Sequence, residues 1–90
     1  MNYMDEETLI LKTQIELSTH RVKVLKAFNG RDVIRPKQIA ELTDLHINYV
    51  SKALGQLRKM GLVIVLNPNV RANRNYTLTD SGRHIIEYLD

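Results

Sequence analysis

Cysteine is absent from this 90-residue chain. Its absence removes disulfides, thiolate chemistry and cysteine-based metal sites, and it fits a reducing interior. Long apolar runs are absent too. The longest, Leu62–Leu66, falls far short of the about 20 residues needed to cross a membrane. The opening Met1-Asn2-Tyr3-Met4-Asp5-Glu6-Glu7 is acidic, where a secretory signal would begin with basic residues. A soluble, cytoplasmic chain is therefore expected. His20, His46 and His84 lack metal-ligand spacing, and Gly30, Gly55, Gly61 and Gly82 are too scattered to cradle a phosphate. We expect no metal, no other cofactor and no enzymatic site. At this length a single domain spanning residues 1–90 is expected, with nearly every apolar side chain committed to one small core and no deep internal pocket.

Charge is present but unevenly divided. Residues 1–20 hold one Lys against four acids (−3), residues 76–90 one Arg against three (−2), and residues 21–75 eleven Lys or Arg against three (+8). The formal net charge of +3 conceals a basic centre between acidic ends. A polyanion-binding face has this distribution, and so does ordinary solvated surface.

Two periodicities compete over Asp5–Leu17. Leu9, Leu11, Ile15 and Leu17 alternate with polar residues as in a strand, whereas the acidic first turn of Asp5, Glu6 and Glu7 suits the positive end of a helix. We read a helix that is more apolar than one face of a small domain requires, which makes residues 1–17 an N-terminal extension suited to a subunit interface. Ser18 or Thr19 caps a second helix, with Val22, Leu25 and Phe28 at helical spacing up to Asn29-Gly30. Val33 and Ile34 have the character of one rung of a small sheet.

The centre of the chain is Pro36–Leu66. Pro36 supplies the fixed φ of a first helical position, so a helix runs to Leu42 with Ile39, Ala40 and Leu42 inward. Thr43-Asp44-Leu45 is a tight turn with Asp44 as its left-handed residue. If His46 caps the next helix, Leu45 and Val50 have the spacing of a hydrophobic staple, although His is a weak capping residue. At 100° per residue, Val50, Ala53, Leu54, Leu57 and Met60 form one apolar face of that helix. The opposite face, centred on Asn48, Lys52, Gly55 and Lys59 with Ser51 and Gln56 on its flanks, contains no carboxylate. Gly55 costs about 1 kcal/mol relative to Ala in a helix interior; close approach of another backbone is one explanation and a tolerated weakness the other. Gly61 stops the helix, with Leu62 closing onto Leu57. Leu62–Leu66 and Tyr76–Leu78 read as a hairpin whose tip, Asn67–Asn75, carries Arg71 and Arg74 and no acid. Thr79 caps a last helix with Ile85, Ile86 and Leu89 inward, and Gly82 lies early enough in it to do little harm.

The order of elements and the residues His20–Ala27, Pro36–Val63 and Arg74–Thr79 with Gly82 resemble the winged helix-turn-helix family. Within it they resemble the small archaeal-type transcription regulators related to the MarR and ArsR groups. The fold implied is mainly α with a small β-hairpin. Asp44 and Asn73 stand where such proteins often carry Gly, and the cysteine metal sites of some metal-sensing relatives cannot exist here. The resemblance implies sequence-specific binding of double-stranded DNA by a homodimer formed through the outer segments. Residues 47–60 would lie in the major groove, with contacts from His46, Asn48, Tyr49, Ser51 and Lys52; Gln56 would reach only phosphate. Asn48 and Lys52 suit adenine and guanine edges. Arg71 and Arg74 on the wing would contact phosphates or enter the minor groove, and Arg35 and Lys37 would hold the flanking backbone. Tyr49, near the border of the apolar face, suits packing somewhat better than a base contact, and Arg58 and Lys59 suit solvated helix-end charges. Two further readings share the fold: a protein-assembly module, and a replication or plasmid-partition protein that uses the same DNA face.

Overall fold

The computed structural model describes residues 4–89, which form α1 (Glu6–Glu16), α2 (Thr19–Lys26), α3 (Pro36–Thr43), α4 (Ile47–Lys59), β1 (Val63–Val65), β2 (Tyr76–Leu78) and α5 (Asp80–Ile86). Short polar side chains begin most of the helices by accepting from backbone N–H groups that have no partner within the helix. Asp5 Oδ1 accepts from Thr8 N at 2.7 Å, Ser18 Oγ from Arg21 N at 3.3 Å, and Thr79 Oγ1 from Gly82 N at 3.0 Å. At α3, Pro36 opens the helix and Gln38 Oε1 accepts from Arg35 N at 3.0 Å.

The segment with competing periods is a helix. Ile15 is fully buried and Leu11 packs against the core, whereas Leu9, Ile10 and Leu17 are 53%, 52% and 78% exposed. Apolar residues on opposite sides of one helix produce the alternation that a strand would also give. Hydrogen bonds from the Thr8 hydroxyl, and then from its backbone N–H, hold the Asp5 carboxyl below the usual carboxylate range. A depressed folded-state pKa stabilises the fold above the unfolded value and loses that contribution as pH falls through the folded one. An Asp5→Ala chain is therefore expected to melt below wild type at neutral pH, with the gap narrowing in acid. A gap of constant size in a thermal-melt series would discount the carboxylate.

Helix α2 ends at Lys26 rather than continuing to Asn29-Gly30. The chain tightens into i→i+3 bonds there, Phe28 N to Leu25 O and Asn29 N to Lys26 O, before Gly30 turns it at φ 76°. Phe28 stays buried in that turn. Helix α4 ends in a Schellman arrangement, Leu62 N to Leu57 O and Gly61 N to Arg58 O, both 3.0 Å, with Gly61 at φ 76°. Strand β1 is three residues long: Leu62 sits buried in the turn, and Leu66 is half exposed although its N–H still reaches Asn75 O. The hairpin pairs Val63 with Leu78, Ile64 with Thr77 and Val65 with Tyr76, and Ile34 adds an isolated bridge through reciprocal bonds with Tyr76.

Helix α4 runs through the centre. Its Val50, Ala53, Leu54 and Leu57 are buried in one cluster with Val24 and Leu25 of α2, Ile39 of α3, Val63 of β1 and Ile85 of α5. Leu42 points outward, 52% exposed. The inner stripe of α3 is Pro36, Ile39, Ala40 and Thr43, and Leu42 falls outside it. Gly82 is also not the harmless early glycine it resembled: it is buried, and a Cβ there would run into the Leu62 backbone. No helix among the described residues is long and apolar enough to cross a membrane.

Candidate nucleic-acid interface

The turn between α3 and α4 depends on two residues. Asp44 adopts the left-handed conformation at φ 58°, which Asp tolerates better than most residues. His46 then caps α4 with its imidazole, Nδ1 accepting from Asn48 N at 3.1 Å. Only the neutral ring can accept at Nδ1, so its hydrogen lies on Nε2, free to donate outward. The weak capping residue thus holds the start of α4 by itself.

Along α4, Asn48, Ser51, Lys52, Gly55, Arg58 and Lys59 are exposed. Tyr49 is 52% exposed, and its ring packs against His20 at a centroid distance of 4.7 Å and edge-on to His46 at 6.4 Å. It combines packing with an open face. Gln56 is half-buried and turned toward α2, its Oε1 accepting from Arg21 Nη1 at 3.0 Å, while Arg21 Nη2 donates to Gln14 O at 2.7 Å. Arg21 thereby ties α1, α2 and α4 together.

The loop from Asn67 to Asn75 is held by its own amides. Asn67 Oδ1 accepts from Asn75 N at 2.7 Å, Asn67 Nδ2 donates to Asn73 O at 3.3 Å, and Asn73 takes the left-handed conformation at φ 57°. Arg74 Nε donates to Val70 O at 2.8 Å, so part of its guanidinium braces the loop. Arg71 is exposed and makes no hydrogen bond or ion pair among the described residues.

Between α4 and this loop lies an open cleft of about 890 Å³. Arg35 and Lys37 border it at the start of α3, Ser51, Gly55 and Arg58 along α4, and Arg71 and Arg74 on the loop; Glu41 is the acid in its lining. Among the described residues the ion pairs are Lys12–Glu16 and Arg83–Asp80, both in terminal helices. None of the cations between residues 21 and 75 is neutralised by a carboxylate. Arg35, Lys37, Ser51, Arg71 and Arg74 thus border the cleft; Asn48 and Lys52 are exposed on α4, outside its lining. Arg58, read from sequence as a solvated helix-end charge, joins the cleft. Its position three residues after Gly55 was the available signal, but nothing local says that the loop lies opposite.

With this geometry the chain aligns closely to known structures. TubR bound to 24 bp of tubC, from Bacillus thuringiensis serovar israelensis pBtoxis, matches at TM-score 0.76 and 22% identity, covering 98% of this chain and 95% of that one. A MarR variant of E. coli complexed with operator DNA matches at 0.70 and 22%, covering 94% of this chain and 61% of that one. Bordetella bronchiseptica BpsR matches at 0.72 and 20%, covering 91% and 69%. The fold is a winged helix-turn-helix. Helix α4 is the second helix of its helix-turn-helix, and the hairpin with its Asn67–Asn75 loop is the wing. The chain spans nearly all of TubR but about three-fifths of MarR. No protein-family profile and no curated protein matches the sequence.

Proposed function

We propose that this winged helix binds double-stranded DNA sequence-specifically as a transcription regulator, with α4 in the major groove and the wing against backbone or minor groove. The carrying observation is the convergence of unneutralised cations from α3, α4 and the wing on one cleft beside the carboxylate-free face of α4. Asn48 and Lys52 read base edges, His46 donates from Nε2, and Ser51 and Tyr49 adjoin them. Arg35, Lys37, Arg71 and Arg74 hold phosphates. Gln56 acts through Arg21 by setting the helix rather than by touching DNA. No step calls for a cofactor, a metal or catalysis, and the chain acts in the cytoplasm on the nucleoid. The sequence resemblance to small archaeal-type regulators supports the regulatory half of this reading. The near-equal length of TubR, together with the match to a TubR of type III plasmid segregation, supports plasmid partition as a second reading with the same DNA face.

The protein acts as a homodimer. Leu9, Ile10 and Leu17 leave α1, which packs against α5, with an apolar outer side, and two α4 helices would read half-sites about 34 Å apart. Selection of bound duplexes from a random pool by the purified chain tests the whole reading. An enriched palindrome, with binding that weakens steeply in salt, is expected. Absence of duplex binding would favour a protein-assembly module instead, and a monomer by light scattering at tens of micromolar would remove the dimer.

A further inference from the structure

Gly55 has no folding reason to be glycine. It lies in the interior of α4 with no left-handed backbone angle, and a Cβ built on it meets nothing within 4 Å. Neither packing nor backbone geometry requires it, and glycine there weakens the helix. What distinguishes the position is its setting: Gly55 lines the cleft between α4 and the wing, with Ser51 one turn before it, Arg58 one turn after it, and Arg71 also bordering the cleft.

We infer that Gly55 is a positioning residue for DNA, a notch that lets the sugar-phosphate backbone of one strand settle against α4 so that Arg58 and Arg71 engage it together. This rests on the DNA-binding reading and adds to it where the strand runs and why a glycine stands inside the helix. Duplex DNA carries closely spaced negative charge along a continuous backbone, and an open trough bordered by cations suits such a polymer better than an enclosed small anion. Two long guanidinium side chains reach that polymer simultaneously only if it comes close to the helix surface. A side chain at residue 55 would stand in the trough and hold the strand off. The hydroxyl of Ser51 lies on the same side of α4, ready to donate to a phosphate oxygen once the strand is seated.

The test compares wild type with Gly55→Ala and Gly55→Leu in thermal melts and in binding to a selected duplex across a salt series. Both substitutions place good helix formers at an unobstructed position. The Ala chain is expected to melt about 4–8 °C higher, following from its gain in helix propensity. It is nevertheless expected to bind the duplex about tenfold more weakly, the Leu chain more weakly still, and both with a flatter salt dependence because Arg58 and Arg71 no longer reach their phosphates. A structural role alone would not separate stability from salt slope in this way. Variants that bind as tightly as wild type with an unchanged slope overturn the inference while leaving the DNA-binding reading intact. A wild-type chain that binds no duplex overturns both.

Discussion

Gly82→Ala is expected to destabilise the fold by about 3 kcal/mol, a large share of the roughly 5–15 kcal/mol that holds a domain of this kind together. The added Cβ would overlap the Leu62 carbonyl oxygen and approach Leu78 Cδ2 at 3.0 Å and Leu62 C at 3.1 Å. A flexible side chain could yield, but the principal obstacle is backbone. The Leu62 carbonyl accepts from Thr79 N at 3.0 Å, and Thr79 Oγ1 donates to Gly61 O at 2.7 Å. Shifting Leu62 therefore disturbs the stop of α4, the root of the wing and the cap of α5 together. Thermal unfolding followed by circular dichroism should place the midpoint about 10 °C or more below wild type. The same Gly→Ala change at residue 55 should move it upward. A Gly82→Ala midpoint within about 2 °C of wild type would mean that α5 slides away from Leu62 at almost no cost.

The second large effect concerns DNA. Arg58→Ala combined with Arg71→Ala is expected to weaken binding to every duplex by about a hundredfold, since a hydrogen bond to a charged group contributes about 1.5–3 kcal/mol. It should also reduce the slope of log affinity against log salt by about two, one for each phosphate that is no longer neutralised. These two arginines are the informative pair because neither braces the fold. Arg74, by contrast, donates to Val70 O within the wing, so its removal would mix loop rearrangement with the missing charge. Asn48→Ala provides the contrast: it should leave the salt slope unchanged and relax preference at one base position. Binding isotherms on selected and scrambled duplexes across a salt series separate these outcomes. If the double substitution discriminates between sequences, Arg58 or Arg71 reads bases and the assignment of the cleft to the DNA backbone fails.

The α1 helix shows why the sequence was ambiguous at one end of the chain. Its apolar residues serve two sides, Ile15 toward the core and Leu9, Ile10 and Leu17 outward, so no single stripe marks it as amphipathic. Helix α4 was legible because its Val50, Ala53, Leu54 and Leu57 all face one core and its polar residues face away. Leu42 misled because hydrophobicity alone does not say which side of an eight-residue helix is covered.

The starts of the helices, the stop of α4 and the side of α4 that faces inward were legible in the chain itself, whereas the end of α2 was not. Asp5, Ser18, Pro36 and Thr79 open helices where expected, and Gly61 closes one. These features depend on hydrogen bonds and periodicity within about four residues, and a reader of the chain has all of them in view. Tertiary structure alone decided that Arg58 faces the wing arginines across a cleft, that Gln56 is turned to Arg21, 35 residues away in the chain, and that Gly82 must make room for Leu62. Each depends on how two elements are set against each other. That placement is fixed by the shared core around α4 and not by the local chemistry of either partner.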